Sequence, residues 1–209
     1  MTIEVELLDL GINNLASLRR GLSDAGARSL RVIASSNESR GADLMVLPGV
    51  GAFGAAVDEL DKRGLKETIK HHVASGGHLF GVCLGMQLLA TASEESPTAD
   101  GLDLIHGQVR RLTANAGARV PNMGWGNSMA TTESEEFPTL NHPLDYYFVH
   151  SFAVVPDSKE DILATSAFGE QSFVSVMMHE NVLGMQFHPE KSSRPGARLL
   201  AEVLMWANG

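Results

Sequence analysis

The first half of the chain alternates short apolar runs with amphipathic stretches. This limits the fold more than any other feature, because strands separated by helices pair in parallel and carry the helices on their faces. Ile3 to Leu10 is rich in aliphatic residues and ends near Asp9 and Gly11, after which Leu15, Leu18 and Leu22 recur at helical spacing up to Gly26. Ser29 to Ala34 reads as a second strand, and Asp43 to Leu47 as a third that stops at Pro48, Gly49 and Gly51. Val57, Leu60, Leu65, Ile69 and Val73 form one helical stripe closed by Gly76 and Gly77, and His78 to Val82 is a fourth strand. Leu84 to Thr91 is made of helix formers, so Cys83 falls where a strand becomes a helix, and open parallel sheets gather their active sites at such carboxyl ends.

From about Leu104 the pattern changes to shorter alternating strands, partly antiparallel: Leu104 to Leu112, Tyr146 to Val155, Ile162 to Ser166, Phe173 to Met178 and Val182 to Phe187. Pro195 to Trp206 reads as a final helix packing through Leu199, Leu200, Val203 and Leu204, and Ser93 to Gly101 as a polar loop. The expectation is an α/β fold: a doubly wound, mostly parallel sheet flanked by helices, with antiparallel strands added in the second half. The 209 residues call for no more than one domain, 1–209.

Charge and cysteine content exclude several functions. A net charge of −9 disfavours nucleic acid and anionic membranes, both of which need a basic surface. No run reaches the roughly 18 apolar residues of a spanning helix. Glu4, Glu6 and Asp9 interrupt the N-terminal apolar residues, which is not the order of a signal peptide, so a cytoplasmic protein is expected. Cys83 is the only cysteine, so neither an internal disulfide nor a multi-cysteine metal site is available. No metal or cofactor is expected; the adjacent His71 and His72, on a helix surface, point apart and lack a carboxylate cluster.

That leaves Cys83 as either buried filler or a reagent. Gly81-Val82-Cys83-Leu84-Gly85 is a G-x-C-x-G pattern, the thiol counterpart of a nucleophile elbow, with glycines giving clearance to a tight turn and a helix start directing N–H groups, Leu84's first, toward the sulfur. A thiol acting on an amide needs a base and the base needs an orienting acceptor, which His188 and Glu190 supply across the restricted Pro189; otherwise His188 is a solvated loop histidine. The glycine loop Gly49, Val50, Gly51 offers backbone donors for an oxyanion, whereas a phosphate loop would need the lysine and hydroxyl that are missing.

These segments, GVCLGMQ at 81–87, PGVG at 48–51 and QFHPE at 186–190, resemble the class I glutamine amidotransferases, a superfamily with a flavodoxin-like fold. Leu8 to Ser17, Pro121 to Asn127, Tyr146 to Phe152 and His188 to Ser193 narrow the resemblance to the glutaminase subunits of imidazole glycerol phosphate synthase, over essentially the whole chain. The resemblance implies that Cys83 attacks the glutamine carboxamide, His188 carries the proton, Glu190 orients the histidine, and a glutamyl thioester is hydrolysed without any cofactor. It implies that Gln87, Glu95 and Ser151 hold the amino-acid end of glutamine, although on their own they could face solvent, cap a loop or bond locally. It implies a heterodimer with a (β/α)₈ cyclase subunit of histidine biosynthesis, reached by ammonia through an interface containing Asn14, Met123, Trp125, Tyr147 and Lys191. Trp125, flanked by glycines, is otherwise a residue of the chain's own core. The chain departs from the family's P-H-M-G-W-N: Asn122 replaces the histidine and Gly126 is inserted before Asn127, while Asn13 stands where glycine is common. A paralogue serving a sugar-amidinating synthase is the alternative partner reading, and a non-catalytic regulatory subunit the alternative from another class.

Overall fold

A computed structural model describes residues 3–11, 15–114 and 116–209. The first half runs β1 (Glu4–Leu8), α1 (Leu15–Asp24), β2 (Ser29–Ile33), β3 (Leu44–Gly49), α2 (Phe53–Lys62), α3 (Leu65–Ala74), β4 (His78–Cys83), α4 (Leu84–Leu88) and β5 (Ala92–Ser93). The second half runs β6 (Gly107–Arg111), β7 (Asn122–Ala130), β8 (Leu144–His150), β9 (Phe152–Pro156), β10 (Ile162–Phe168), β11 (Gln171–His179), β12 (Val182–Met185) and α5 (Ser193–Trp206). Among the described residues one sheet has nine strands in the order β2-β1-β3-β4-β12-β11-β10-β7-β8, and β5-β6-β9 form a smaller one. Pairing is parallel from β2 through β12 and antiparallel from there to β8, as the change of pattern near Leu104 predicts.

Both faces of the parallel part are covered, and the two-residue period of a strand divides its side chains between them. On β3, Leu44 and Val46 join a core with Leu18 and Leu22 of α1 and Leu199, Leu200 and Val203 of α5. Met45 and Leu47 face the other core, built with Phe53, Val57 and Leu60 of α2, Leu65 and Ile69 of α3 and the residues of α4. Glu6 is a buried carboxylate on β1, and it is satisfied by Arg31 Nη2, Ser39 Oγ and Arg40 N, each 2.9 Å away.

The structure corrects five of the readings made from the pattern. The stripe from Val57 to Val73 is two helices, broken where Gly64 takes the left-handed region at φ 66°, so the apolar spacing continues across a turn. Tyr146 to Val155 is two strands in different sheets, separated at Ser151. Strand β7 was not anticipated, because Gly124 and Gly126 weaken its strand character and Met123, Trp125 and Asn127 are exposed. His72 is buried rather than on a helix surface, with Nε2 2.8 Å from His78 O. The Leu84–Leu88 helix is also shorter than expected, ending before Thr91.

The junction of β4 with α4 sets everything downstream. No residue separates strand from helix, so α4 starts against the end of β3: a Cβ on Gly49 would lie 2.6 Å from Leu84 Cβ, and one on Gly81 would lie 2.7 Å from Gly85 O. A Cβ on Gly85 would run into the Leu47 carbonyl oxygen, part of the backbone and unable to yield. Gly85→Ala is therefore expected to lower stability by about 2–3 kcal/mol, read as a drop in urea midpoint at unchanged slope.

Candidate active site

Cys83 closes β4 and opens α4, with φ 56° and ψ −108°, a region that side-chain-bearing residues rarely enter. The strained turn places the thiol at the carboxyl end of the parallel strands, in register with Gly49 of the neighbouring β3. Its Sγ lies 3.8 Å from Val149 O on β8 and 3.7 Å from Gln186 Nε2.

His188 arrives from the other neighbour of β4. Strand β12 pairs Met185 with Val82, and the chain then passes through Gln186 and Phe187 to His188. Phe187 is fully buried and stacks on Tyr146 at 4.2 Å between ring centroids, fixing this segment to β8. Two backbone ties complete the clamp: His188 N donates to Tyr147 O at 2.9 Å, and Ser192 Oγ bridges the segment, donating to His188 O at 2.6 Å and accepting from Tyr147 N at 2.9 Å.

Glu190 follows Pro189 in a short 3₁₀ turn, which brings its Oε1 to 2.9 Å from His188 Nδ1, with both side chains 5% exposed. A carboxylate can only accept here, so Nδ1 carries the hydrogen and the free edge of the ring is Nε2. Nε2 is buried and has no hydrogen-bond partner of good geometry among the described residues; the group that acts on the ring from that side is Cys83. Burial opposes a charged imidazole, but the interactions with Cys83 and Glu190 outweigh it and raise the His188 pKa to about 9. Such an imidazole takes a proton from a thiol readily and retains it for a leaving group.

A cavity of about 290 Å³ opens over the sulfur, and Val50, Gly51, Leu84, Gln87, Glu95 and Ser151 all line it. Gly49 lies beneath, paired with Cys83, and Gly51 has φ 109°, a conformation that lets the loop turn a peptide N–H toward the cavity. Gln87 does not face solvent. Its Nε2 donates to Phe152 O at 2.9 Å and to Gln186 Oε1 at 3.1 Å, which leaves its own Oε1 to meet a ligand. Glu95 accepts from Phe53 N at 2.7 Å and so ties the cavity wall to the start of α2.

Met123, Trp125, Tyr147 and Lys191 form one patch beside this cavity. Trp125 pairs with Tyr147 across β7 and β8, with ring centroids 6.1 Å apart, and Lys191 Nζ lies 5.9 Å from the Tyr147 ring centre. Trp125 is 56% and Met123 63% exposed, so the tryptophan is not part of the chain's own core. Asn14 and Asn13 lie outside the described residues.

The family model for glutamine amidotransferase class-I matches residues 6–206. The chain belongs to the class I glutamine amidotransferase family. It is 41% identical over 202 residues to the imidazole glycerol phosphate synthase subunit HisH of Nostoc punctiforme, covering 96% of this chain and 94% of that one. It is 38% identical over 207 residues to the subunit HisH 2 of Parasynechococcus marenigrum, covering 99% and 96%. A crystal structure of a glutamine amidotransferase superposes with a TM-score of 0.74 at 19% identity, covering 96% of this chain and 98% of that one, which extends the likeness of fold well beyond that of sequence.

In this amidotransferase two groups near the sulfur, His150 in the cavity wall and Gln186 buried beside Cys83, carry no signal of their own in the sequence. Gln186 was visible only inside the QFHPE stretch, and His150 only inside YYFVHSF, since neither carries a local signal of what it will touch. The raised His188 pKa has a consequence for stability. The protonated ring is held more firmly in the folded protein than in the unfolded chain, so its contribution is complete below about pH 6.5 and disappears as pH rises through about 9. An NMR titration should find the His188 pKa near 9 in the native protein and lower in Glu190→Gln, and unfolding free energy should fall across that interval less in His188→Asn than in the native sequence.

Proposed function

We propose that this chain is the glutaminase subunit of an imidazole glycerol phosphate synthase, folded as one amidotransferase domain over residues 1–209, and that it hydrolyses glutamine to glutamate and ammonia for a partner synthase. The observation that carries the reading is the convergence of the buried His188–Glu190 pair on the Cys83 thiol, which itself lines a cavity, in a chain 41% identical to a HisH subunit.

The chemistry follows from the placement of these groups. His188 Nε2 takes the thiol proton before the attack, Cys83 Sγ then adds to the carboxamide carbon as a thiolate, and Glu190 holds the ring and its positive charge. The oxyanion is met by N–H groups of the Gly49, Val50, Gly51 loop and of Leu84. Collapse of the tetrahedral adduct breaks the C–N bond, with His188 returning its proton to the nitrogen, so ammonia leaves and a γ-glutamyl thioester remains. A water, deprotonated by His188, then attacks the thioester and the thiol is restored, giving glutamate. Gln87 Oε1, the Glu95 carboxylate and Ser151 hold the amino-acid end, the carboxylate meeting the substrate ammonium.

The partner in this reading is a (β/α)₈ cyclase subunit of histidine biosynthesis, docked on Met123, Trp125, Tyr147 and Lys191, with Asn14 contributing from outside the described residues. An exposed aromatic ring beside an exposed methionine, next to a reactive thiol, is the surface expected of a site that a partner must seal to keep ammonia from solvent. The reading implies a cytoplasmic protein, and no helix among the described residues is long and apolar enough to cross a membrane.

Cys83→Ala should eliminate glutamine-dependent product formation by the reconstituted complex while leaving ammonia-dependent formation intact; glutamate release by that variant would refute the assignment. Trp125→Ala should weaken binding of the cyclase subunit by about 2 kcal/mol, roughly 30-fold in Kd by titration calorimetry. Recovery from native extract of a sugar-amidinating synthase in place of the cyclase would replace the histidine-pathway partner, an outcome to which Asn122 and the inserted Gly126 give specific reason.

A further inference from the structure

A continuous set of polar contacts leads from half-buried Asn122, on the strand that carries the exposed patch, to the sulfur. Asn122 opens β7 and pairs with His150 across to β8, and the Asn122 Nδ2 lies 2.9 Å from His150 Nε2. His150 Nδ1 lies 2.8 Å from Phe152 O, the same oxygen that accepts from Gln87 Nε2. Gln87 Nε2 also donates to Gln186 Oε1, and Gln186 Nε2 donates to Cys83 Sγ at 3.7 Å. Gln186, Gln87 and His150 are 0%, 5% and 6% exposed, which leaves them few partners other than one another.

The chemistry of each group dictates the direction of the next. Phe152 O is an acceptor only, so His150 Nδ1 carries a hydrogen and, in the neutral ring, Nε2 must accept; Asn122 supplies the donor. Burial, and then the charge of His188, lower the His150 pKa to about 4, so the ring is neutral near pH 7 and positive charge in the site is confined to His188. Gln87 spends both amide hydrogens on Phe152 O and Gln186 Oε1, which fixes the Gln186 amide with its NH₂ toward the sulfur. A donor so held favours the negatively charged sulfur over the neutral thiol.

We propose that Gln186 is a further active-site residue that donates to the nucleophilic sulfur, and that His150 and Asn122 are positioning residues that hold this donor in place from strand β7. The position at which the chain departs from its family's usual histidine thus bears on the reactivity of Cys83 and not only on docking. The proposal rests on the glutaminase reading for the use to which the sulfur is put, but the network itself concerns the thiol and is read without glutamine.

Because the chain has one cysteine, iodoacetamide alkylation of the intact protein reports Cys83 alone. Gln186→Met removes the donor at nearly constant volume and should slow alkylation at pH 7 by about tenfold. Asn122→Ala, at a half-buried strand position, should slow alkylation at pH 7 by about threefold, and in the reconstituted complex should lower kcat while KM stays within about twofold. Thermal unfolding of each variant confirms that it is folded. A folded Asn122→Ala protein whose alkylation rate and kcat match the native ones would overturn the positioning roles, and a folded Gln186→Met protein with native alkylation would overturn the donor. Native protein that alkylates as expected but releases no glutamate with its partner would instead overturn the glutaminase reading.

Discussion

The turn at Cys83 is the constraint on which the remaining structure depends. Strand β4 passes into α4 without an intervening residue, and Cys83 takes a positive φ at this junction. The cost, of order 1–3 kcal/mol for such a conformation, is sustainable because neighbours over-determine it: β3 and β12 pair on either side of β4, and Gly49, Gly81 and Gly85 let helix and strand backbones approach more closely than any side chain allows. The strain is thus part of how a sulfur comes to stand clear of the sheet while its surroundings remain packed.

Around that fixed point the fold brings in groups from three directions. The parallel neighbour β3 supplies the glycine loop, the other neighbour β12 leads to His188 and Glu190, and the antiparallel β8 closes the side through Val149 and the Ser192 clamp. The result is an imidazole whose protonation is governed by its contacts and whose tautomer is imposed by Glu190. A second imidazole, His150, has the same Nδ1–H tautomer imposed by a backbone oxygen and Asn122, and burial keeps it neutral. Two histidines in one site therefore differ in charge because their hydrogen-bond partners differ.

Strand β8 is also where site and surface meet. Its Tyr147 holds the His188 segment by its backbone while its ring joins Trp125 and Lys191 on the exterior. Two residues later Val149 O faces the sulfur. A contact made on the outer patch is within one strand of the Cys83 sulfur, which gives the proposed partner a short physical route to the proposed reaction.

Much of this was legible in the residues before any coordinates. The strand and helix alternation of the first half gave the parallel sheet with both faces covered, since periodicities of two and 3.6 residues are imposed by local geometry, and the paired glycines about Cys83 and the H-P-E turn are local signatures of the same kind. The break at Gly64 escaped because apolar spacing continues through it, and β7 escaped because a strand with glycines and outward apolar residues has no strand pattern to show. Local order along the chain therefore specified the kinds of element and the candidate reactive groups. Which of them touch was settled by strand order: His150, Gln186 and Asn122 acquire their meaning only when β7, β8 and β12 are assembled beside β4, because contacts between residues far apart in the chain leave no local trace in it.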